Sequence, residues 1–135
     1  MGLVTAALIE EEQRILIAQR GRSQRFGRQW EFPGGKLEAG ETLAQALVRE
    51  IKEELDIAVT PADSQVPAGE PFTIVKHAYT HFRITLHALH AVFQAGQQIK
   101  HIGVKDHAWV TLDDLKHYPF AVTDQKIIQA LTVDE

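Results

Sequence analysis

Residues 35–56 constrain this chain more than any other segment. Ala44, Leu47, Val48, Ile51 and Leu55 recur at helical spacing, and at about 100° per residue they fill one arc of a helix. Glu50, Glu53 and Glu54 fill the neighbouring arc. Ahead of them, Gly35-Lys36-Leu37-Glu38-Ala39-Gly40-Glu41 is a loop bounded by glycines. One helix, starting near Thr42, thus buries one side in a core and offers three carboxylates to a cleft edge. Clustered carboxylates repel one another, so a sequence that holds three together implies a cation. The chemistry this suggests is divalent-metal-assisted attack of water on a phosphoanhydride.

Charge supports a small anionic substrate. Residues 38–56 hold six acids (Glu38, Glu41, Glu50, Glu53, Glu54, Asp56) against Arg49 and Lys52, which accounts for the whole net charge of −4. The rest of the chain is neutral, so it offers no strongly basic surface for a duplex, and no stable nucleic-acid binding is expected. Upstream, Arg14, Arg20, Arg22, Arg25 and Arg28 have no acid among them. Cations before the acidic segment suit a polyphosphate.

At 135 residues, residues 1–135 form one domain with enough chain for a real core. The absence of cysteine excludes disulfides and thiolate zinc sites and is compatible with a cytoplasmic location. No apolar run approaches the roughly 18 residues that span a bilayer, and the start does not read as a signal peptide. No membrane association is expected, and the chain is expected to be a monomer or homodimer. Of the seven histidines, His77, His81, His87 and His90 do not present the close nitrogen set of a structural zinc site, so histidine–metal binding is not expected.

Residues 3–9 and 15–18 read as a β-hairpin, 21–28 as an arginine-rich loop and 30–32 as a short strand stopped by Pro33-Gly34-Gly35. After the helix, 57–60, 72–77, 82–93 and 108–110 read as strands, and 112–116 and 123–131 as helices. Phe82, Ile84, Leu86 and Ala88 alternate with Arg83, Thr85 and His87, which predicts a sheet with one face in the core. Without regular βα alternation this is an α+β layered domain.

Residues 35–57 resemble the box of the Nudix hydrolases, G-x5-E-x7-R-E-U-x-E-E-x-G-U with U a bulky aliphatic. Gly35, Glu41, Arg49, Glu50, Ile51, Glu53, Glu54 and Ile57 fill it, and Asp56 stands where the pattern has glycine. Aspartate tolerates a left-handed helix end, so a modest effect on stability is expected. Together, residues 16–20, WEFPGGKLEAGE and the box resemble the MutT branch. HAYTHFRITLHA and YPFAVTDQKII are similar to the lesion-reading domain at the end of MutY adenine glycosylases, with Tyr79, Thr80 and His81 matching its aromatic-hydroxyl-His loop. The end of the chain, around Asp124, also resembles a cytidine-triphosphate pyrophosphohydrolase of the same superfamily.

The resemblance implies a Nudix fold, a mixed β-sheet sandwiched between helices. It implies Mg²⁺ (Mn²⁺ is the alternative) held by Glu50, Glu53, Glu54 and the Gly35 carbonyl, with Glu41 and Arg49 pairing to orient them. Either Glu50 or Glu53 would take the proton of the attacking water. Arg20 and Lys36 match positions near the phosphates and Phe32 one in the base pocket. Tyr79 and Thr80 match pocket positions, and Asp124 matches either a reader of the base edge or a helix N-cap. The implied reaction splits a nucleoside triphosphate into monophosphate and pyrophosphate. An oxidised purine such as 8-oxo-dGTP is the first substrate expected and CTP or a modified dCTP the second. A non-catalytic lesion-binding module is the rival reading. Where many MutT-like enzymes carry one more glutamate, this chain has Gly103, and Asp106 is the nearest carboxylate to replace it.

Overall fold

A computed structural model describes residues 2–21, 28–64 and 66–132. Strand β1 (Gly2–Glu11) turns into β2 (Arg14–Gln19), and β3 (Trp30–Glu31) precedes helix α1 (Leu43–Leu55). Strands β4 (Val59–Pro61), β5 (Thr73–Ala78), β6 (Arg83–Phe93) and β7 (Asp106–Val110) follow. A 3₁₀ turn (Asp113–His117) and helix α2 (Val122–Thr132) close the fold. Arg22 and Arg25 lie outside the described residues.

The sheet is mixed. β1 and β6 run parallel from Gly2↔Ile84 to Glu10↔Val92, β4 and β5 pair antiparallel with β6, and β3 and β7 flank β2. Alternation along β1 divides the core in two. Ala6 and Leu8 join Phe32, Leu86, Phe120 and Ile127 on the α2 side. Ala7 and Ile9 join Leu47, Ile51, Leu55 and Ile57 on the α1 side. The sheet is thus covered by a helix on each face, as expected for the α/β/α sandwich.

Local chemistry sets the limits of α1. Thr42 Oγ1 accepts from Gln45 N–H at 3.1 Å while Gln45 Oε1 accepts from Thr42 N–H at 2.9 Å, a reciprocal cap. Asp56 ends the helix at φ 55°, and its carboxylate pairs with Lys52 at 2.8 Å and Lys100 at 3.2 Å. The departure from glycine is accommodated at the helix end with two cations on the carboxylate, and these hold it below the usual range, the Lys52 hydrogen bond first.

Three expectations need correction. The hairpin of β1 and β2 is paired only at Glu10↔Ile15 and Glu11↔Arg14. Beyond those pairs residues 33–37 take the place beside β1, which is why the strands part. β6 is buried on both faces, with Leu86 and Ala88 on one side and Leu89 and Ala91 on the other, whereas Phe82 and Ile84 are half-buried at a cleft. Asp124 does not cap α2, which starts at Val122 and leaves the carboxyl inside the first turn.

Both residues of the β1–β2 turn, Glu12 (φ 51°) and Gln13 (φ 65°), are left-handed without being glycine. Gln13→Gly should stabilise the protein by about 1 kcal/mol. It would be read as a higher urea midpoint at unchanged slope; an unmoved midpoint would show that the turn carries no such cost.

Candidate active site

The segment between β3 and α1 is fastened to the free edge of β1. Ala7 N–H donates to Pro33 O at 2.7 Å, Thr5 N–H to Gly35 O at 2.8 Å, and Leu37 N–H to Leu3 O at 3.0 Å. Two glycines permit this approach. A Cβ on Gly34 would collide with the Thr5 carbonyl, and one on Gly35 with the Glu50 carboxylate. The Gly35 carbonyl, implied as a metal ligand, accepts from both the amide and the hydroxyl of Thr5, the latter at 3.1 Å, which engages both its acceptor directions.

Arg49 organises the carboxylates. Its guanidinium grips Glu41 bidentately, Nε to Oε2 at 2.7 Å and Nη2 to Oε1 at 3.0 Å. Nη2 also donates to Lys36 O at 2.9 Å. Nη1 reaches Glu50 Oε1 at 2.9 Å and Glu53 Oε2 at 3.3 Å. The Arg49 hydrogen bond holds the Glu41 carboxyl below its ordinary range, and Glu41 in turn raises the already permanent charge of Arg49. One fork thus ties loop to helix and fixes the side from which Glu50 and Glu53 are presented. Glu50 is held at 17% side-chain exposure while Glu53, at 59%, faces solvent.

Glu54 lies deeper. Its Oε2 is buried with no hydrogen-bond partner. Burial first, then the charges of Glu31 and Glu50, push its carboxyl up to about 8, against the pull of Arg20 and the Gly34 N–H. Glu31 shares this predicament: burial raises its carboxyl although Arg20 Nη1 donates to it at 2.8 Å. Repelling acids beside an orphaned buried oxygen are what a divalent cation with oxygen ligands would neutralise. The oxygen chemistry of Glu50, Glu53 and Glu54 suits such an ion, although their carboxylate oxygens do not all lie within 4.8 Å of one another.

Next to these acids opens a cleft of about 320 Å³, whose lining includes Arg20, Glu31, Gly34, Gly35, Lys36 and Glu54. Phe32, Tyr79, Phe82, Ile84, Leu86, Thr123 and Asp124 line it as well. Phe32 stacks on Phe120 at 5.5 Å, and Tyr79 on Phe82 at 4.6 Å. Asp124 is 5% exposed; its Oδ2 accepts from Phe32 N–H at 2.8 Å and its Oδ1 from the Thr123 hydroxyl at 3.1 Å. Burial, then Glu31, push its carboxyl up to about 7 despite those donors. Near neutrality it exists both as an acceptor and as a donor.

Most residues singled out from the sequence therefore meet at this cleft. Glu41, Arg49, Glu50 and Glu53 lie outside its lining, as do Thr80 and His81, which stand exposed beside the β5–β6 turn. Gly103 packs against Glu54, where an added Cβ would sit 3.1 Å from its Cγ. The Asp106 carboxylate accepts from His107 N–H at 2.8 Å, and the oxygen that does so lies 3.9 Å from His101 Nε2. Sequence reasoning missed Glu31, Thr5 and Thr123. Glu31 carried a signal, as an acid directly before the Phe32-Pro33-Gly34-Gly35 turn.

Comparison with known proteins agrees with this geometry. Residues 4–130 match the model of the NUDIX domain family. The chain is 35% identical over 129 residues to the CTP pyrophosphohydrolase of Escherichia coli K12, covering 94% of this chain and 88% of that one. It is 45% identical over 58 residues to the 8-oxo-dGTP diphosphatase of Proteus vulgaris, 43% of this chain and 52% of that one. The solution structure of the E. coli ORF135 protein superposes with a TM-score of 0.80 at 31% identity, covering 98% of this chain and 89% of that one. The matched domain, the overlaid fold and the filled carboxylate box agree, and the chain belongs to the Nudix hydrolases, pyrophosphohydrolases that work with a divalent metal.

Proposed function

We propose that this enzyme uses Mg²⁺ to split a nucleoside triphosphate into the monophosphate and pyrophosphate, with an oxidised purine nucleotide such as 8-oxo-dGTP as its first substrate. The observation that carries the reading is the unpartnered, buried Oε2 of Glu54 at the mouth of an aromatic cleft. Mn²⁺ would serve the same oxygen ligands. Among the described residues no helix is long and apolar enough to cross a membrane.

Glu50, Glu53 and Glu54 would hold a divalent ion, which would supply positive charge for the phosphoryl oxygens and acidify water. The chain does the rest. Lys36 and Arg20, both at the cleft, face the phosphates, and Arg20 stays close to Glu31 so that its charge is held in place. Arg49 Nη1 holds Glu50 at 2.9 Å and Glu53 at the longer 3.3 Å, and Glu53, the more exposed of the two, accepts the proton of the attacking water. The water oxygen bonds to phosphorus, the bridging P–O bond breaks, and the electron pair leaves with the departing phosphate oxygen. A flat base fits between Phe32 and the Tyr79–Phe82 pair. Asp124 reads the base edge, accepting from an exocyclic amine when ionised and donating when protonated.

A second reading has its own support. The match to the CTP pyrophosphohydrolase runs nearly the full length of both chains, and an ionised Asp124 would accept from the cytosine amine. Turnover on a panel of 8-oxo-dGTP, dGTP, CTP and 5-methyl-dCTP separates the two. A preference for 8-oxo-dGTP is expected; a cytosine preference would move the role to pyrimidine control. No turnover on any of the four would overturn the enzymatic reading and restore the lesion-binding module.

Glu53→Gln should lower kcat by about 10²–10⁴-fold while leaving the thermal midpoint of the metal-free protein unmoved. Near-normal turnover in that variant would remove Glu53 from the chemistry.

The raised carboxyls also make stability depend on pH. Glu54 moves from 4.5 to about 8 and Asp124 from 3.8 to about 7, so between those limits the folded state binds more protons than the unfolded one. Each group thus costs the metal-free protein stability as pH rises across its interval. Glu54→Gln should flatten the loss of Tm between pH 5 and 8 relative to the parent, as about does Asp124→Asn between pH 4 and 7. Parallel Tm–pH curves for parent and variants would contradict the assigned shifts.

A further inference from the structure

Behind the carboxylate helix, a second donor cluster lies outside the cleft. His101 Nε2 and His107 Nδ1 are 2.7 Å apart, and Asp106 Oδ1 is 3.9 Å from the same His101 nitrogen. Among the described residues this is the one group of three or more His, Asp or Glu ligand atoms lying within 4.8 Å of one another. The four histidines weighed from the sequence did not include either member. His101 and Asp106 are exposed and His107 half-buried, so a solvent molecule can complete a coordination shell.

The cluster is held from both ends. Asp106 and His107 begin β7, in register with Gln19 and Ala18 of β2. The loop that carries His101 hangs from the last turn of α1, with Lys100 N–H donating to Leu55 O at 2.9 Å and Ile102 and Gly103 N–H to Glu54 O at 3.0 and 3.1 Å. Lys105 N–H returns it to Gln19 O at 2.8 Å. His107 N–H donates to Asp106 Oδ1 at 2.8 Å, which fixes that carboxylate beside the imidazoles. Two nitrogens on one tetrahedral zinc ion stand about 3.3 Å apart, given Zn–N bonds of about 2.0–2.1 Å. A small rotation of the exposed His101 ring from its present 2.7 Å reaches that spacing.

We propose that His101, Asp106 and His107 form a binding site for a borderline transition ion of the Zn²⁺ class, distinct from the carboxylate site for the hard catalytic cation. Two imidazoles and one carboxylate select zinc, cobalt, nickel or copper over magnesium. The ion clamps β7 to the loop that hangs from the C-terminal turn of α1.

The test uses untagged full-length protein, stripped with chelator and held in excess Mg²⁺ to fill the carboxylate cleft. Zn²⁺ binding is followed by calorimetry and Co²⁺ binding by its visible absorption. One Mg²⁺-resistant ion per chain is expected, retained in Glu53→Gln and weakened by about tenfold or more in His101→Asn and in His107→Asn. Circular dichroism and the zinc-free Tm show that each histidine variant is folded, and Zn²⁺ should raise the Tm of the parent but not of either variant. Equal Zn²⁺ affinity in parent and histidine variants would overturn the site. So would no Mg²⁺-resistant binding, which leaves a hydrogen-bonded imidazole pair only, or binding lost in Glu53→Gln alone, which assigns the ion to the carboxylate cleft.

Discussion

The Arg49 guanidinium is the interaction on which the site depends. Without it, Glu41, Glu50 and Glu53 would crowd one edge of α1 with nothing but solvent between them. With it, five donors in one plane meet two oxygens of Glu41, one each of Glu50 and Glu53, and the Lys36 carbonyl. A lysine would supply the charge but not the fork, because its single nitrogen cannot serve a bidentate carboxylate and a loop carbonyl at once. The seven-residue gap between Glu41 and Arg49 follows from this geometry: the chain must leave the loop, cap at Thr42 and climb nearly two turns before the guanidinium comes back over Glu41.

Arg49 neutralises the outer carboxylates and leaves the inner ones alone. Glu54 and Glu31 are half-buried close to each other, and among the described residues the cation that acts on both is Arg20, hydrogen-bonded to Glu31. Such a cluster lowers the stability of the empty protein, and a divalent ion repays that cost when it binds. The fold accepts the strain because its main stabilisation lies elsewhere, in two separate apolar cores on either side of β1.

The box helix was legible in the sequence because both of its faces are written there, apolar at helical spacing and acidic beside it. Its cap was legible for a similar reason: Thr42 and Gln45 are local partners. Contacts made across long separations were not. Nothing in the sequence shows that residues 33–37 replace β2 along β1, because that depends on two glycines meeting backbone and carboxylate from elsewhere. The partners of Asp124 were hidden likewise, since Phe32 is 92 residues away. The histidine pair was missed because His101 and His107 come together only when a loop folds back on the first residues of β7.

Chemistry and base recognition are drawn from different parts of the chain, and this shapes what likeness to other enzymes can decide. The box acids come from α1, and Glu50 and Glu53 are tied to the loop ahead of it through Arg49. The proposed base end is built from the β5–β6 turn and the first turn of α2, with Phe32, just ahead of the box, donating to Asp124. On the proposed reading, a change of base needs altered residues near Tyr79, Phe82 and Asp124 and none in the box. Asp124 sharpens the point. Its carboxyl sits near 7, and small changes in the surrounding charge, Glu31 above all, decide whether it presents a proton or accepts one. On the proposed reading, base preference in this protein would follow the charge state of this one buried acid as well as the shape of the aromatic walls around it.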